Sequence, residues 1–215
     1  MENTMIDIEQ GCCLSLLDKL PNRSVDLVLT DPPYGNNGTY GNAGRRILGD
    51  EHPLVALSAI ARCYRVLRQN RTCFSFVNVR QYPFAESFVS RYTDFKIRDV
   101  VVWDKRDNGF GRGFRKRYEL IMVLEKGRPT YNGNVLANVL NIPRIPRPKH
   151  PNQKPVKLMK TLIEHATAPG DVILDPFMGS GSTGVAAWEL GRQFFGMELD
   201  KSHFDMAQTR LGEAI

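Results

Sequence analysis

Ser24-Val25-Asp26-Leu27-Val28-Leu29-Thr30-Asp31-Pro32-Pro33-Tyr34 is the stretch from which the fold can be read. The apolar run up to Thr30 has the composition of a buried strand. Two consecutive prolines cannot continue a central strand, so the chain must turn out of the sheet after Asp31. That leaves a carboxylate and an aromatic ring at the C-terminal end of a strand, the edge where open α/β sheets bind ligands. Asp31 and the Pro32 carbonyl are placed to accept hydrogen bonds from an exocyclic amine, with Tyr34 stacking on its ring, as gripping a flipped nucleobase requires. The plain alternative is an Asp-Pro turn with a surface tyrosine, and this stretch alone does not separate the two.

Outward from this strand, apolar runs and helical patterns alternate. Strands are expected at 5–9, 24–30, 72–78, 97–103, 118–124, 171–175 and 193–198, and helices at 12–19, 53–67, 82–92, 155–167, 183–190 and 201–212. Such alternation predicts a doubly wound, mostly parallel seven-stranded sheet. The exception is the pair 97–103 and 118–124. No helix joins them, so they should run antiparallel. Residues 35–52, rich in Gly and Asn, and 126–154, with five prolines, read as long functional loops.

The 215 residues suffice for one α/β domain and not for two. No stretch is apolar for long enough to span a bilayer, and Met1-Glu2-Asn3-Thr4 lacks the layout of a signal peptide. Cys12, Cys13, Cys63 and Cys73 form no C-x-x-C pair and have no His at ligand spacing. They read as reduced thiols of a cytoplasmic protein without a metal site or membrane partner. The net charge of +6 is clustered. Lys105, Arg106, Arg112, Arg115, Lys116 and Arg117 oppose only Asp104 and Asp107, and Arg144, Arg147, Lys149, Lys154, Lys157 and Lys160 oppose no acid. This is the electrostatic footprint of a polyanion partner, although two solvated loops would look the same.

A second constellation is Asp171-Val172-Ile173-Leu174-Asp175-Pro176-Phe177-Met178-Gly179-Ser180-Gly181-Ser182-Thr183-Gly184. A short strand ends in an acid, a glycine loop follows, and a helix begins. Gly179, Gly181 and Gly184 match G-x-G-x-x-G, which is weak evidence by itself. The next strand ends at Glu198, where an acid can bind a ribose diol. Too little chain follows to complete a dinucleotide fold, so the remaining strands must come from the N-terminal part. Asp175 and Glu198 together suit a neutral adenosine carrying a cationic sulfonium better than a pyrophosphate.

Together these motifs resemble the β class of amino-methylating DNA methyltransferases, in which the catalytic D-P-P-Y precedes the cofactor loop. The resemblance covers nearly the whole chain. It implies a Rossmann-like methyltransferase fold in permuted motif order, S-adenosylmethionine as cofactor, DNA as substrate and partner, and a single domain acting as monomer or homodimer. A role in restriction–modification is also implied. Asp31, Pro32 and Tyr34 take the catalytic positions. Asp175, Pro176, Phe177, Gly179, Ser180, Gly181 and Thr183 match the cofactor motif, and Glu198 the ribose-binding strand. His150-Pro151-Asn152-Gln153-Lys154-Pro155 is similar to the H-P-x-Q-K-P segment, so Lys154 and Pro155 are expected at the methionine end of the cofactor. Trp103-Asp104-Lys105 and Gly111-Arg112-Gly113-Phe114-Arg115 look like two further family elements. Lys105, Arg106, Arg112, Arg115, Lys116, Arg117, Arg144, Arg147 and Lys149 are expected on DNA, mostly on phosphates.

Two departures stand out. The family usually places an Asp after the first glycine turn, where Cys12 stands here, and a thiol is a poor acceptor beside a carboxylate. No segment is long enough for a separate target-recognition domain, which leaves 35–52 and 126–149 as candidate recognition loops. Asp in the first position of D-P-P-Y leans towards the N6 amine of adenine. The alternatives are the N4 amine of cytosine on the same fold, an RNA or protein-amide substrate, a non-catalytic DNA-binding subunit, and a nicotinamide oxidoreductase.

Overall fold

The computed structural model describes residues 5–33, 53–107, 113–146 and 153–214. Tyr34, Arg112, Arg147, Lys149 and the loop 35–52 lie outside the described residues. In chain order the elements are β1 (Ile6–Gln10), α1 (Cys13–Lys19), β2 (Val25–Thr30), α2 (Pro53–Val66), β3 (Leu67–Val77), α3 (Tyr82–Tyr92), β4 (Lys96–Asp104), β5 (Tyr118–Lys126), β6 (Val139–Asn141), α4 (Val156–Ala166), β7 (Val172–Asp175), α5 (Ser182–Glu189), β8 (Gln193–Glu198) and α6 (Lys201–Ala214).

Among the described residues the strands form one sheet in the order β1-β8-β7-β2-β3-β5-β4-β6. All run parallel except β5, which is antiparallel to both β3 and β4. The expected antiparallel pair is therefore present. The sheet has eight strands rather than seven because Val139–Asn141 pairs with Val102–Asp104 at the edge. β3 also starts earlier than its apolar run, at Leu67, because α2 leads into it without a loop.

Side-chain alternation splits the core between the two faces of the sheet. Leu27, Leu29, Phe74, Phe76, Ile121 and Val123 face α4, α5 and α6. Val28, Cys73, Val77, Met122 and Leu124 face α1, α2 and α3. The helices match: α4 buries Leu158, Met159, Leu162, Ile163 and Ala166, one stripe of an amphipathic helix.

The segment after β5 is tied to this body. Asn132 donates from its side chain to the Glu164 and Thr167 carbonyls at 3.1 and 2.7 Å, and Tyr131 stacks on His165 with ring centroids 4.8 Å apart. Trp103 donates its indole N–H to the Ile142 carbonyl at 2.7 Å. Between these ties, Gly133 to Val139 is exposed.

At the end of the sheet remote from the prolines, Asp26 is 1% exposed. It is paired with Arg68, and Arg71 lies 2.8 Å away. It also accepts the Val172 N–H at 3.0 Å, which joins β2 to β7. A buried carboxylate is tolerated only when so compensated. Replacing Asp26 with Ala removes the acidic partner of Arg68, one of the two acidic partners of Arg71, and the acceptor of one backbone N–H. The expected loss is about 3 kcal/mol of unfolding free energy by urea titration. A loss under about 1 kcal/mol, the value of an exposed pair, would show that this cluster does not hold the strands together.

Candidate active site

Parallel strands bring their C-terminal ends to one edge of a sheet. Here that edge collects Gly11 after β1, Asp31 after β2, Asp175 at the end of β7 and Glu198 at the end of β8. Because β5 runs the other way, its first residues arrive at the same edge. Glu119 pairs in register with Trp103, and Tyr118 with Asp104. Crossovers leave β7 and β2 in opposite directions, towards β8 and towards β3, so a crevice opens between their ends. A cleft of about 690 Å³ lies there, within the range of small-molecule sites.

Asp31, Pro32 and Pro33 line the cleft beside Asp175, Pro176, Phe177, Gly179, Ser180 and Thr183. Gly179 and Gly181 have φ of +51° and +75°, a region costly for other residues. A Cβ on Gly179 would meet nothing within 4 Å, so the loop leaves its backbone open to a ligand. The third glycine has a packing role. A Cβ on Gly184 would lie 2.8 Å from the Phe194 ring, so its absence lets α5 sit against β8.

The acids differ in character. Asp175 is 3% exposed, and burial pushes its carboxyl up to about 7 against the pull of the Thr183 hydroxyl, which donates at 2.7 Å, and the Phe177 N–H at 3.1 Å. Glu198 accepts the Gly179 N–H at 2.9 Å and the Asp200 N–H at 2.8 Å, and burial raises its carboxyl above the usual range. Each Glu198 oxygen keeps a further acceptor site, as a ribose diol requires. Cys12 is exposed, lines the cleft and makes no side-chain cap for α1.

Lys154 is placed in a way the sequence did not reveal. Its side chain is 8% exposed, and its ammonium pairs with Asp31 and, at 3.2 Å, with Glu119. The ammonium also lies 4.9 Å from the centroid of the Phe76 ring. Lys105 reaches the other Glu119 oxygen at 3.3 Å. Burial alone would raise Glu119 and lower Lys154. Their mutual charges, with Lys105 and Asp31, instead hold the acid below and the base above the usual ranges. The preceding residue is anchored too, since the Gln153 amide lies 3.2 Å from both terminal nitrogens of Arg210, which also donates to the Ser180 carbonyl at 3.1 Å. Pro155 caps α4 in an extended conformation.

The expected DNA-binding cations divide into two sets. Arg115 and Lys116 are exposed at the mouth of the cleft, next to the fully exposed Phe114. Arg106 is exposed with φ +56°. Arg117 instead donates twice to Asp104, at 2.7 and 2.8 Å, and its guanidinium draws the Asp104 carboxyl down to about 2. Arg144 pairs with Asp107.

The D-P-P and glycine-loop halves thus share one cleft although over 140 residues separate them. The sequence reading missed Glu119 and Arg210. A signal for Glu119 did exist: a lone acid opening the apolar run Leu120–Leu124, on a strand expected to be antiparallel, must sit at the carboxyl edge.

The profile of the N6/N4 methylases, described as DNA methylase, matches residues 25–209. The YubD protein of Escherichia coli (strain K12) is 34% identical over 94% of this chain and 88% of its own length. YhdJ of the same strain, a DNA adenine methyltransferase by name, is 28% identical over 96% of this chain and 83% of its own. The crystal structure of an M1.HpyAVI–SAM complex superposes with a TM-score of 0.75 at 26% identity, covering 96% of this chain and 99% of that one. The shared cleft, the order of its motifs and the extent of these matches agree: this chain belongs to the N6/N4 DNA methylase family.

Proposed function

We propose that this DNA methyltransferase modifies the N6 amine of adenine, using S-adenosylmethionine. The observation that carries this reading is Asp31, followed by the Pro32 carbonyl, at the end of β2 and beside the β7 loop in one cleft. The donor set suits the cofactor. Open backbone at Gly179 admits close approach, Glu198 keeps acceptor sites for a diol, and Asp175 adds negative charge for a cation as it ionises near neutral pH. S-adenosylmethionine, when bound, supplies an electrophilic sulfonium methyl.

The residues of this chain act on the amine. Its lone pair is delocalised into the ring, which makes it a poor nucleophile. Asp31 and the Pro32 carbonyl accept its two N–H bonds and favour a pyramidal nitrogen. Positive charge develops there during transfer, so fixed acceptors stabilise the transition state more than the ground state. Holding the two reactants in line supplies much of the rest. Tyr34 is assigned to stack on the extruded base, offsetting roughly 1–3 kcal/mol of its unstacking cost. Asp31 and the name of the relative YhdJ both favour adenine over cytosine. We place the enzyme in the cytoplasm, in keeping with its four free thiols.

Arg115 and Lys116 are the described cations best placed for phosphates, with Arg112, Arg147 and Lys149 as further candidates. Residues 35–52 and 126–149 are proposed to carry target recognition within a single domain. In the second segment the exposed stretch is Gly133 to Val139.

Asp31→Ala should bind S-adenosylmethionine by calorimetry like the parent while methyl transfer falls by roughly 100- to 1,000-fold. Full activity in the purified variant would remove Asp31 from the reaction. Duplex affinity should fall steeply with salt, and Arg115→Ala and Lys116→Ala should each reduce the slope of log K against log salt by about 1. Unchanged slopes would place the DNA backbone elsewhere.

A further inference from the structure

We propose that Glu119 is a positioning residue for methyl transfer, acting through Lys154 to set the carboxylate of Asp31; this rests on the reading of Asp31 as the acceptor for the amine.

Three elements converge to make the arrangement. Asp31 ends β2, Glu119 opens β5, and Lys154 precedes α4. The side chains of Asp31, Glu119 and Lys154 are 22%, 26% and 8% exposed, so solvent screens these charges weakly. Charges alternate along the chain Lys105, Glu119, Lys154, Asp31, each in ion-pair contact with the next.

An ammonium has three donors and no acceptor. The Lys154 ammonium donates to Asp31 Oδ2, and its nitrogen lies 3.2 Å from Glu119 Oε2 as an ion pair, above the face of Phe76. The bond to Oδ2 fixes the rotation of the Asp31 carboxylate about its Cβ–Cγ bond. Glu119 holds the ammonium from the other side, so Lys154 divides its charge between two carboxylates instead of committing it to Asp31. This matters because Asp31 must give acceptor capacity to the substrate amine. With Glu119 neutral, Asp31 is the one carboxylate among the described residues left in ion-pair contact with the buried ammonium. It then competes directly with the amine for that carboxylate. Lys105 holds Glu119 in turn, from the β4 end of the connection whose β5 end carries the exposed Arg115 and Lys116.

The test compares Glu119→Gln, Glu119→Asp, Lys154→Met, the double variant Glu119→Gln/Lys154→Met, and Asp31→Ala. The measurements are steady-state methylation of duplex DNA and thermal melting. Glu119→Gln should lower kcat at least tenfold, leave KM for S-adenosylmethionine and for DNA within twofold, and melt like the parent. Glu119→Asp keeps the charge and should recover part of the loss. The double variant should be no slower than Lys154→Met, since Glu119 has nothing to act through once the ammonium is gone.

A kcat within twofold of the parent in Glu119→Gln would overturn the proposal. So would a loss confined to KM, or multiplicative losses in the double variant. If Glu119→Gln melts too low to assay, Glu119→Asp carries the test: a reduced kcat with unchanged KM supports the proposal and an unchanged kcat overturns it. Activity in Asp31→Ala would overturn the reading of Asp31 itself, whereas an inactive Asp31→Ala beside a normal Glu119→Gln would overturn only the role of Glu119.

Discussion

The structure depends on β2 and β7 lying side by side, although their facing residues are about 146 positions apart in the chain. Leu27 and Val28 pair with Ile173 and Leu174, and at the remote end Asp26 grips the Val172 N–H together with two arginines. Those contacts set the register at the other end, where Asp31 and Asp175 emerge together. A parallel pair cannot be closed by a short turn, so each strand must leave by a crossover. The two crossovers leave in opposite directions, and the cleft is the space that they vacate. Asp31 and the glycine loop after β7 are therefore neighbours by topology, whatever their order in the chain.

Reversal of β5 adds a second consequence. A fully parallel sheet would bring only strand ends to the carboxyl edge. The antiparallel β5 brings a strand beginning, and with it Glu119, into a site otherwise rich in carboxylates. Lys154 then meets acids from two different strands. The buried ammonium is stable there because its partners were desolvated with it. Breaking one of these contacts leaves the others overcommitted, which is how a buried charge network sharpens geometry more than it adds stability.

Much of this was legible in the sequence because the signals were local. Apolar runs closed by Asp-Pro or Gly gave β2 and β7, the helical stripe Leu158–Ala166 gave α4, and the missing crossover gave the direction of β5. β6 was not legible. Val139-Leu140-Asn141 is too short for any periodicity and is a strand only because β4 offers it an edge. The start of β3 was hidden by the polar run Arg68–Arg71. Its arginines are there to meet Asp26, a tertiary reason that no local pattern contains. In the site, residue types and positions could be read, but partners could not. Lys154 reads, through the H-P-x-Q-K-P resemblance, as a contact for the methionine end of the cofactor, and its pairing across 123 positions with Asp31 exists only in the folded chain. Arg117 and Arg144 read as DNA contacts, and the fold shows each already engaged by a neighbouring acid.

The central claim is that Asp31 presents an amine of adenine for methylation. It is tested most directly by incubating unmethylated duplex DNA with the purified protein and S-adenosylmethionine, digesting to nucleosides and identifying the methylated species by mass spectrometry. The account predicts N6-methyldeoxyadenosine. N4-methyldeoxycytidine in its place would contradict it.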